Sequence, residues 1–260
     1  IELVINAGFY PGVGRETAKS FRNKVIAVQP SLVPAFETLR GDAVHEAVLA
    51  RGLKVTGATA YLVDETGGVI DGDKVLAVCA LDMKRRGKLN GNTIVATVMS
   101  NLGLHEFCRN QGIELICTDV GDRNVLEMMQ REGMALGGEQ SGHIIFLEHN
   151  TTGDGLVTAL QLLAVLKRTG RTLTDLAGIM KKYPQVLVNV HSDNKAGLDD
   201  CQPIWDAVAA AEKELDGRGR ILVRPSGTEP LVRVMAEAET HELTQRVVDD
   251  IVEVVKRELP

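Results

Sequence analysis

The stretch LVRPSGTEPLVRVM, residues 222–235, sets Arg224, Ser226, Gly227, Thr228 and Arg233 in and around one short turn between two apolar runs. That set of side chains suits an oxyanion. Phosphate needs several donors converging on one tetrahedron. Arg224 offers a planar two-pronged fork, Ser226 and Thr228 each add a hydroxyl, and Gly227 lets a backbone N–H come close. Strand alternation puts Arg233 on the face of Leu231 and Met235, from which it reaches back toward the turn. The same letters also describe a plain hairpin whose arginines pair with Glu229 or Glu237 at the surface. The turn by itself leaves both readings open.

Two further stretches carry chemistry. GGEQSGH, residues 137–143, brings Glu139, Ser141 and His143 together among three glycines. A carboxylate acceptor beside a hydroxyl, in a turn that lets the backbone crowd a ligand, suits neighbouring sugar hydroxyls. Plain turn glycines and a structural histidine at a strand start would give the same letters. TDVGDR, residues 118–123, offers Gly121, Asp122 and Arg123 at the end of another apolar run. Its simpler explanation is a helix start with Asp122 or Arg123 exposed.

The elements that must position these loops follow from periodicity. NTIVATVMS is a β-branched run suited to a buried parallel strand, and LGLHEFCRNQG reads as a helix closed by Gly112. IELICTDV is a strand, RNVLEMMQREG a helix ending at Gly133, and MALGG a brief strand before HIIFLEH. Asp154 is placed to cap a helix that ends at Gly170, and Thr172 with Asp175 forms a capping-box variant on the next. This alternation predicts a mostly parallel, three-layer α/β domain, whose functional loops lie at the carboxyl ends of its strands. TDVGDR and GGEQSGH fall at those ends. After Pro184 the pattern becomes strand, helix, two strands, helix, a small α+β domain whose last helix carries apolar residues at 243, 247, 251 and 254. The expected division is an incomplete or atypical α/β domain over 1–70, an α/β domain over 71–183, and the α+β domain over 184–260.

Bulk properties narrow the field. The 260 residues carry a formal charge of −6, which argues against a broad nucleic-acid or anionic-membrane surface yet leaves room for a small anionic ligand held by local arginines. Four cysteines, Cys79, Cys108, Cys117 and Cys201, form no C-x-x-C pair. Metal knuckles and a disulfide framework are therefore not expected, and a reducing cytoplasm fits. No apolar run is long enough to span a bilayer, and IELVINAG reads as a strand already in progress inside a longer protein.

GGEQSGH followed by NTTGDG, and then RPSGTEPLVR, resembles the α-D-phosphohexomutase superfamily; TDVGDR and TVMSNLGL resemble its bacterial phosphoglucosamine mutases. The likeness runs from about Asp71 to the end. It implies a four-domain enzyme of amino-sugar metabolism, on the way to UDP-N-acetylglucosamine, that interconverts glucosamine 6-phosphate and glucosamine 1-phosphate. A phosphoserine donates its phosphoryl group, giving a bisphosphorylated sugar that reorients and returns the other phosphate. The family's sugar loop maps onto Glu139, Ser141 and His143. Its phosphate loop maps onto Arg224, Ser226, Gly227 and Thr228, with Arg233 in support, and residues 1–70 would be its second domain. The partner implied is a phosphosugar. Oligomeric state stays open, a homodimer through the missing N-terminal domain being one arrangement.

Two catalytic parts of that family have no counterpart here. Ser20, Ser31, Ser100 and Ser192 lack the phosphoserine setting, and Ser141 and Ser226 belong to other loops. The family implies Mg²⁺, but VTGAT stands where its metal-binding aspartates belong. Asp71-Gly72-Asp73 could offer two carboxylates to such an ion, yet it matches the segment after the metal loop and reads as a turn opening a helix. Gly12-Val13-Gly14-Arg15-Glu16-Thr17 lacks the lysine and final glycine of a phosphate loop and reads as a strand-to-helix turn. The chain is thus expected to bind phosphosugar and to be inactive alone. The alternatives are a phosphomannomutase or phosphoglucomutase relative, a non-catalytic phosphosugar-binding module, and an α/β scaffold without a ligand.

Overall fold

The computed structural model describes residues 69–227 and 229–260, preceded by three strands: β1 (Val4–Ala7), β2 (Val25–Gln29) and β3 (Thr59–Val63). The 12–17 turn, Thr228 and residues 55–58 of VTGAT lie outside the described residues. The chain divides into two compact units, one of Ile1–Ser100 with Leu104–Lys181, the other of Lys182–Pro260 with Asn101–Gly103.

In the first unit β1 runs parallel to β2, while β3 and then β4 (Val69–Ile70) add antiparallel. A second sheet has the order β6–β5–β7–β8, built from β5 (Thr93–Thr97), β6 (Glu114–Thr118), β7 (Leu136–Gly138) and β8 (Ile144–Phe146). Only β8 is antiparallel to its neighbour. Every residue of β5 is buried, as a β-branched run covered on both faces requires. Ile94, Ala96, Ile144 and Phe146 join a core with α1 (Gly72–Arg85), α2 (Leu102–Gln111), α4 (Gly155–Thr169) and α5 (Leu173–Ala177). Val95 and Ile145 point the other way, onto Val125 and Met129 of α3 (Asp122–Glu132). The result is the mostly parallel, three-layer arrangement that the alternation predicts.

Local chemistry fixes the helix ends. Asp154 Oδ1 accepts from the N–H groups of Leu156 and Val157 at 2.9 and 3.0 Å, capping α4. Thr172 and Asp175 form a reciprocal capping box on α5. Cys79 and Cys108 are buried among the core side chains, and burial pushes both thiols up to about 12, so they are packing groups and not nucleophiles. No helix among the described residues is long and apolar enough to cross a membrane.

The second unit follows the expected order: β9 (Gln185–His191), α6 (Gln202–Leu215), β10 (Arg220–Pro225), β11 (Leu231–Glu237) and α7 (His241–Glu258). Its antiparallel sheet has β11 in the centre, between β10 and β9. Val190, Val223, Val232, Val234 and Ala236 form one core with the apolar sides of α6 and α7. The stripe on α7 differs slightly from the expected one. Val247, Val248, Ile251, Val252 and Val255 are buried, while Leu243 and Val254 lie at its edges.

The opposite face of this sheet is more polar and contains one buried carboxylate. Glu237 is fully buried and accepts from Asn101 Nδ2 at 3.0 Å, Leu102 N–H at 2.7 Å and Arg220 Nε at 3.2 Å. Asn101, from the TVMSNLGL phrase, accepts in turn from the N–H groups of Tyr183 and Gly103 at 2.9 and 3.0 Å. Burial raises the Glu237 carboxyl above the ordinary value, with Arg220 and the hydrogen bonds opposing that shift. The folded unit therefore holds the proton more tightly than the unfolded chain, and this group's contribution to stability grows as pH falls from the folded value toward the unfolded one. Glu237→Gln would set an amide NH₂ against donors. It should destabilise the second unit by about 1–3 kcal/mol, read by denaturant unfolding followed through Trp205, the chain's single tryptophan. The gap between the two proteins should widen on lowering the pH from neutrality toward about 5, near the ordinary carboxylate range; a gap independent of pH would contradict the assigned shift.

Candidate functional site

Two of the loops with chemical potential meet in the first unit. β6 and β7 both run parallel to β5 and flank it, so their carboxyl ends open onto the same edge. The loop after β6 reaches Gly121, whose φ of 130° is a conformation that favours glycine. The loop after β7 begins with Glu139, whose Oε1 accepts the Gly121 N–H at 2.9 Å. That bond joins the two loops and sets a carboxylate at the N-terminal end of α3, where the helix dipole favours it. Among the described residues Glu139 Oε2 accepts no hydrogen bond. Asp122 turns back onto the Arg123 N–H at 2.8 Å, and Arg123 pairs with Glu127 one helical turn on, with 85% of its side chain exposed. Of this loop, only Gly121 is tied to Glu139.

The 139–143 turn is closed by Glu139 N–H donating to His143 O at 2.9 Å and Gly142 N–H donating to Glu139 O at 3.0 Å. Inside it Ser141 Oγ lies 3.2 Å from His143 Nδ1. With the ring proton on Nε2, the serine hydroxyl donates to Nδ1 and keeps its lone pairs for an incoming donor. Gly153, from NTTGDG, passes so close that an added Cβ would sit 3.3 Å from the imidazole.

Beneath this turn lies the start of α1. Asp71 caps the helix, accepting the Lys74 N–H at 3.1 Å, and the Gly72 N–H donates to Gln140 O at 3.0 Å. A Cβ on Gly72 would overlap Glu139 O and stand 2.7 Å from Gly142 N and 2.9 Å from Gln140 O, all backbone atoms. Asp71-Gly72-Asp73 is thus a helix start that supports the Glu139 turn. Sequence reading identified the helix start but not the support, because nothing in the letters ties Gly72 to the distant backbone of residues 139–142.

The second unit holds the other constellation. Arg224 on β10 is the direct cross-strand partner of Arg233 on β11, so two guanidinium groups share one sheet face at opposed positions. Further along the same ladder Arg220 opposes Glu237, and these two form an ion pair at 3.2 Å. Like charges directly opposite are unfavourable in a sheet unless an anion compensates them. Ser226 is buried; its Oγ accepts from Arg233 Nη2 at 3.4 Å and from the Glu229 N–H at 3.3 Å. Arg233 Nη2 also contacts Glu229 Oε2 at 3.1 Å, the surface pairing that a plain hairpin would make. Gly227 has open space where a Cβ would go. No neighbour among the described residues requires a glycine there. Lys195, which sequence reading passed over, donates from Nζ to the carbonyls of Ser226 and Glu229 at 2.6 and 2.7 Å.

Residues 71–183 match the family model of phosphoglucomutase/phosphomannomutase α/β/α domain III, and residues 187–254 match that of the same family's C-terminal domain. Across these two domains the chain belongs to the phosphoglucomutase/phosphomannomutase family. Residues 1–90 match a formyl transferase model. Similar relatives are bacterial phosphoglucosamine mutases: that of Desulforudis audaxviator is 50% identical over 243 residues, covering 86% of this chain and 54% of the relative. That of Bacillus subtilis is 51% identical over 197 residues, covering 76% of this chain and 44% of the relative. The chain spans about half the length of the curated relatives it matches. Among solved structures, Aspergillus fumigatus N-acetylphosphoglucosamine mutase, in complex with GlcNAc-6P and magnesium, shares the fold at a TM-score of 0.65 and 20% identity, over 79% of this chain and 48% of that one. A putative phosphomannomutase from Thermus thermophilus does so at a TM-score of 0.57 and 20% identity, over 98% of this chain and 61% of that one.

The described residues do not fit a magnesium ion. No group of three or more His, Cys, Asp or Glu side chains among them could hold a metal, Asp71 is occupied as a helix cap, and Asp73 is fully buried.

The support under the Glu139 turn gives a direct test. Gly72→Ala should displace backbone that has no room to yield, so amides 139–143 should lose hydrogen-exchange protection. An alanine that leaves those amides as protected as before would contradict the contact.

Proposed function

We propose that this chain is the C-terminal portion of a phosphoglucosamine mutase, which interconverts glucosamine 6-phosphate and glucosamine 1-phosphate through a phosphoserine enzyme and a bisphosphorylated sugar. The portion in hand binds the phosphosugar and is inactive alone. The observation that carries this reading is the opposed pair Arg224 and Arg233 beside the buried Ser226 hydroxyl. A phosphate there would gain charge-assisted contacts from two neighbouring guanidinium groups and lie in the open space over Gly227. Residues 71–183 are then the sugar-binding domain and 184–260 the phosphate-binding domain. Magnesium belongs to the family expectation.

On this reading Glu139 and Ser141 recognise the sugar. Oε1 of Glu139 is committed to Gly121, which aims Oε2 outward as an acceptor; Ser141, donating to His143, is a second acceptor. Two acceptors within one five-residue turn suit two adjacent hydroxyl donors. A half-turn of the ring that exchanges those hydroxyls keeps both contacts, which a mutase needs because it holds one sugar in two opposed orientations. His143 and Gly121 serve as orienting groups, while Asp122 and Arg123 complete the loop's edge. The phosphate that is not reacting sits on Arg224, Ser226, Gly227 and Thr228 with Arg233 behind, and its binding energy positions the reacting end.

The first 70 residues carry two kinships. The Desulforudis alignment covers more of the chain than residues 71–260 make up, which favours the preceding α/β domain of the mutase. The formyl transferase match over 1–90 favours a segment of that other family joined to the mutase domains.

Calorimetry with glucosamine 6-phosphate tests the proposal. The unaltered chain should bind it, and a coupled mutase assay on the chain alone should give no turnover. Arg224→Ala should weaken binding by about 1.5–3 kcal/mol, the worth of a charge-assisted hydrogen bond. Gly227→Ala should weaken it without lowering the unfolding midpoint, because the added methyl meets only the ligand. Absence of binding by the unaltered chain, or unchanged affinity in both variants, would overturn the reading. Tighter binding of mannose or glucose phosphates would move the chain to the phosphomannomutase or phosphoglucomutase branch.

A further inference from the structure

Lys195 stands outside every motif of the chain, in a short 3₁₀ turn (Lys195–Gly197) that follows β9. Its contacts nevertheless converge on the arginine-rich turn between β10 and β11. Nζ donates to Ser226 O at 2.6 Å and to Glu229 O at 2.7 Å, the carbonyls on either side of Gly227-Thr228. The same approach segment donates its Ser192 N–H to Pro230 O at 3.0 Å. Three carbonyls of one turn, those of Ser226, Glu229 and Pro230, are thus held from the β9 side.

This arrangement has a consequence for the amides. A carbonyl pointed one way turns the N–H of the following residue the other way, because the two belong to one planar trans peptide. Pinning Ser226 O therefore fixes the direction of the Gly227 N–H, and among the described residues that N–H has no acceptor. The Ser226 and Glu229 N–H groups are already used, on Leu231 O at 2.8 Å and Ser226 Oγ at 3.3 Å. Among the turn's described amides Gly227 is accordingly the donor left for an anion, and the position where its side chain would stand is open. An ammonium bonded to two carbonyls also adds one positive charge behind the turn, without competing with the ligand for space.

We infer that Lys195 is a positioning residue for the phosphate turn: it holds the backbone so that the Gly227 N–H faces the phosphate, and it is not itself a ligand. This inference rests on the proposal that the turn binds phosphate. An arginine at the same place could also donate to two carbonyls, whereas a methionine fills the volume and donates nothing.

The test compares the unaltered chain with Lys195→Met, Lys195→Gln and Lys195→Arg, using inorganic phosphate and glucosamine 6-phosphate as probes. Lys195→Met should raise the Kd for both by about tenfold or more, the loss of roughly one charge-assisted bond. Lys195→Arg should recover most of that affinity. The Trp205-monitored unfolding midpoint should change little across the series, so that lost affinity is not lost folding. Should the methionine variant fail to fold, Lys195→Gln against Lys195→Arg gives the same comparison. If the unaltered chain binds and the Met or Gln variant binds equally well, the role of Lys195 is overturned while the phosphate reading stands. If the unaltered chain binds neither probe, the phosphate reading fails and takes this inference with it.

Discussion

A β-sheet has little tolerance for two positive side chains at directly opposed positions, and the three-stranded sheet of the second unit puts Arg224 across from Arg233. The register that does this is over-determined. Each strand alternates between a valine-rich face packed on α6 and α7 and a more polar face, so a slip by one residue would bury the arginines and expose the valines. The polar face then shows two solutions to the same problem. Arg220 is answered by Glu237 within the sheet, and Arg233 is answered partly by Glu229 at the turn. Arg224 and Arg233 set two guanidinium groups beside the buried Ser226 hydroxyl, and the turn's backbone is held through its carbonyls by Lys195 Nζ and the Ser192 N–H. The core therefore dictates where charge accumulates.

In the first unit the ordering principle is a hydrogen bond between loops. Parallel strands flanking β5 deliver two loops to one edge, but parallel pairing alone does not set their separation. The Glu139 carboxylate on the Gly121 N–H does, and the first turn of α1 closes the arrangement from below through Gly72 and Gln140. A carboxylate placed by one loop, oriented by a second and supported by a helix start has few accessible rotamers. That is the condition for reading hydroxyl geometry rather than merely attracting polar groups.

Much of this was legible in the letters. The all-apolar core of the TIVAT run, the caps at Asp154 and Thr172 and the helix-ending glycines at 133 and 170 are local signals, and each sits where local chemistry puts it. The strand–helix–strand–strand–helix order after Pro184 was equally readable. What escaped was long-range. Glu237 as a threefold acceptor, Gly72 as the floor of the 139–143 turn and Lys195 as a strut depend on partners as far as 136 positions away along the chain, or on backbone atoms that carry no letter. Asn101 shows the difference well. TVMSNLGL carries its family likeness in its letters, but only the structure gives the asparagine its work, accepting from Tyr183 and Gly103 while donating to Glu237. A helical or strand period says which face is buried; it says nothing about which distant backbone a polar side chain will meet.

The proposed recognition has a further energetic logic. Contacts that survive exchange of two sugar hydroxyls stabilise both orientations of the ring equally, so they cannot by themselves favour either phosphate ester. Such uniform binding lowers the free energy of every bound state together and leaves the barrier between them untouched. Selectivity for the moment of transfer must then come from groups that meet the reacting phosphate, not from those that hold the other one. This separates two demands that conflict in a single pocket: tolerance of reorientation, and discrimination of a transition state. On the proposed reading, acceptors on Glu139 and Ser141 and donors on Arg224, Arg233 and Gly227 serve the first demand, and the second falls to groups that meet the reacting phosphate.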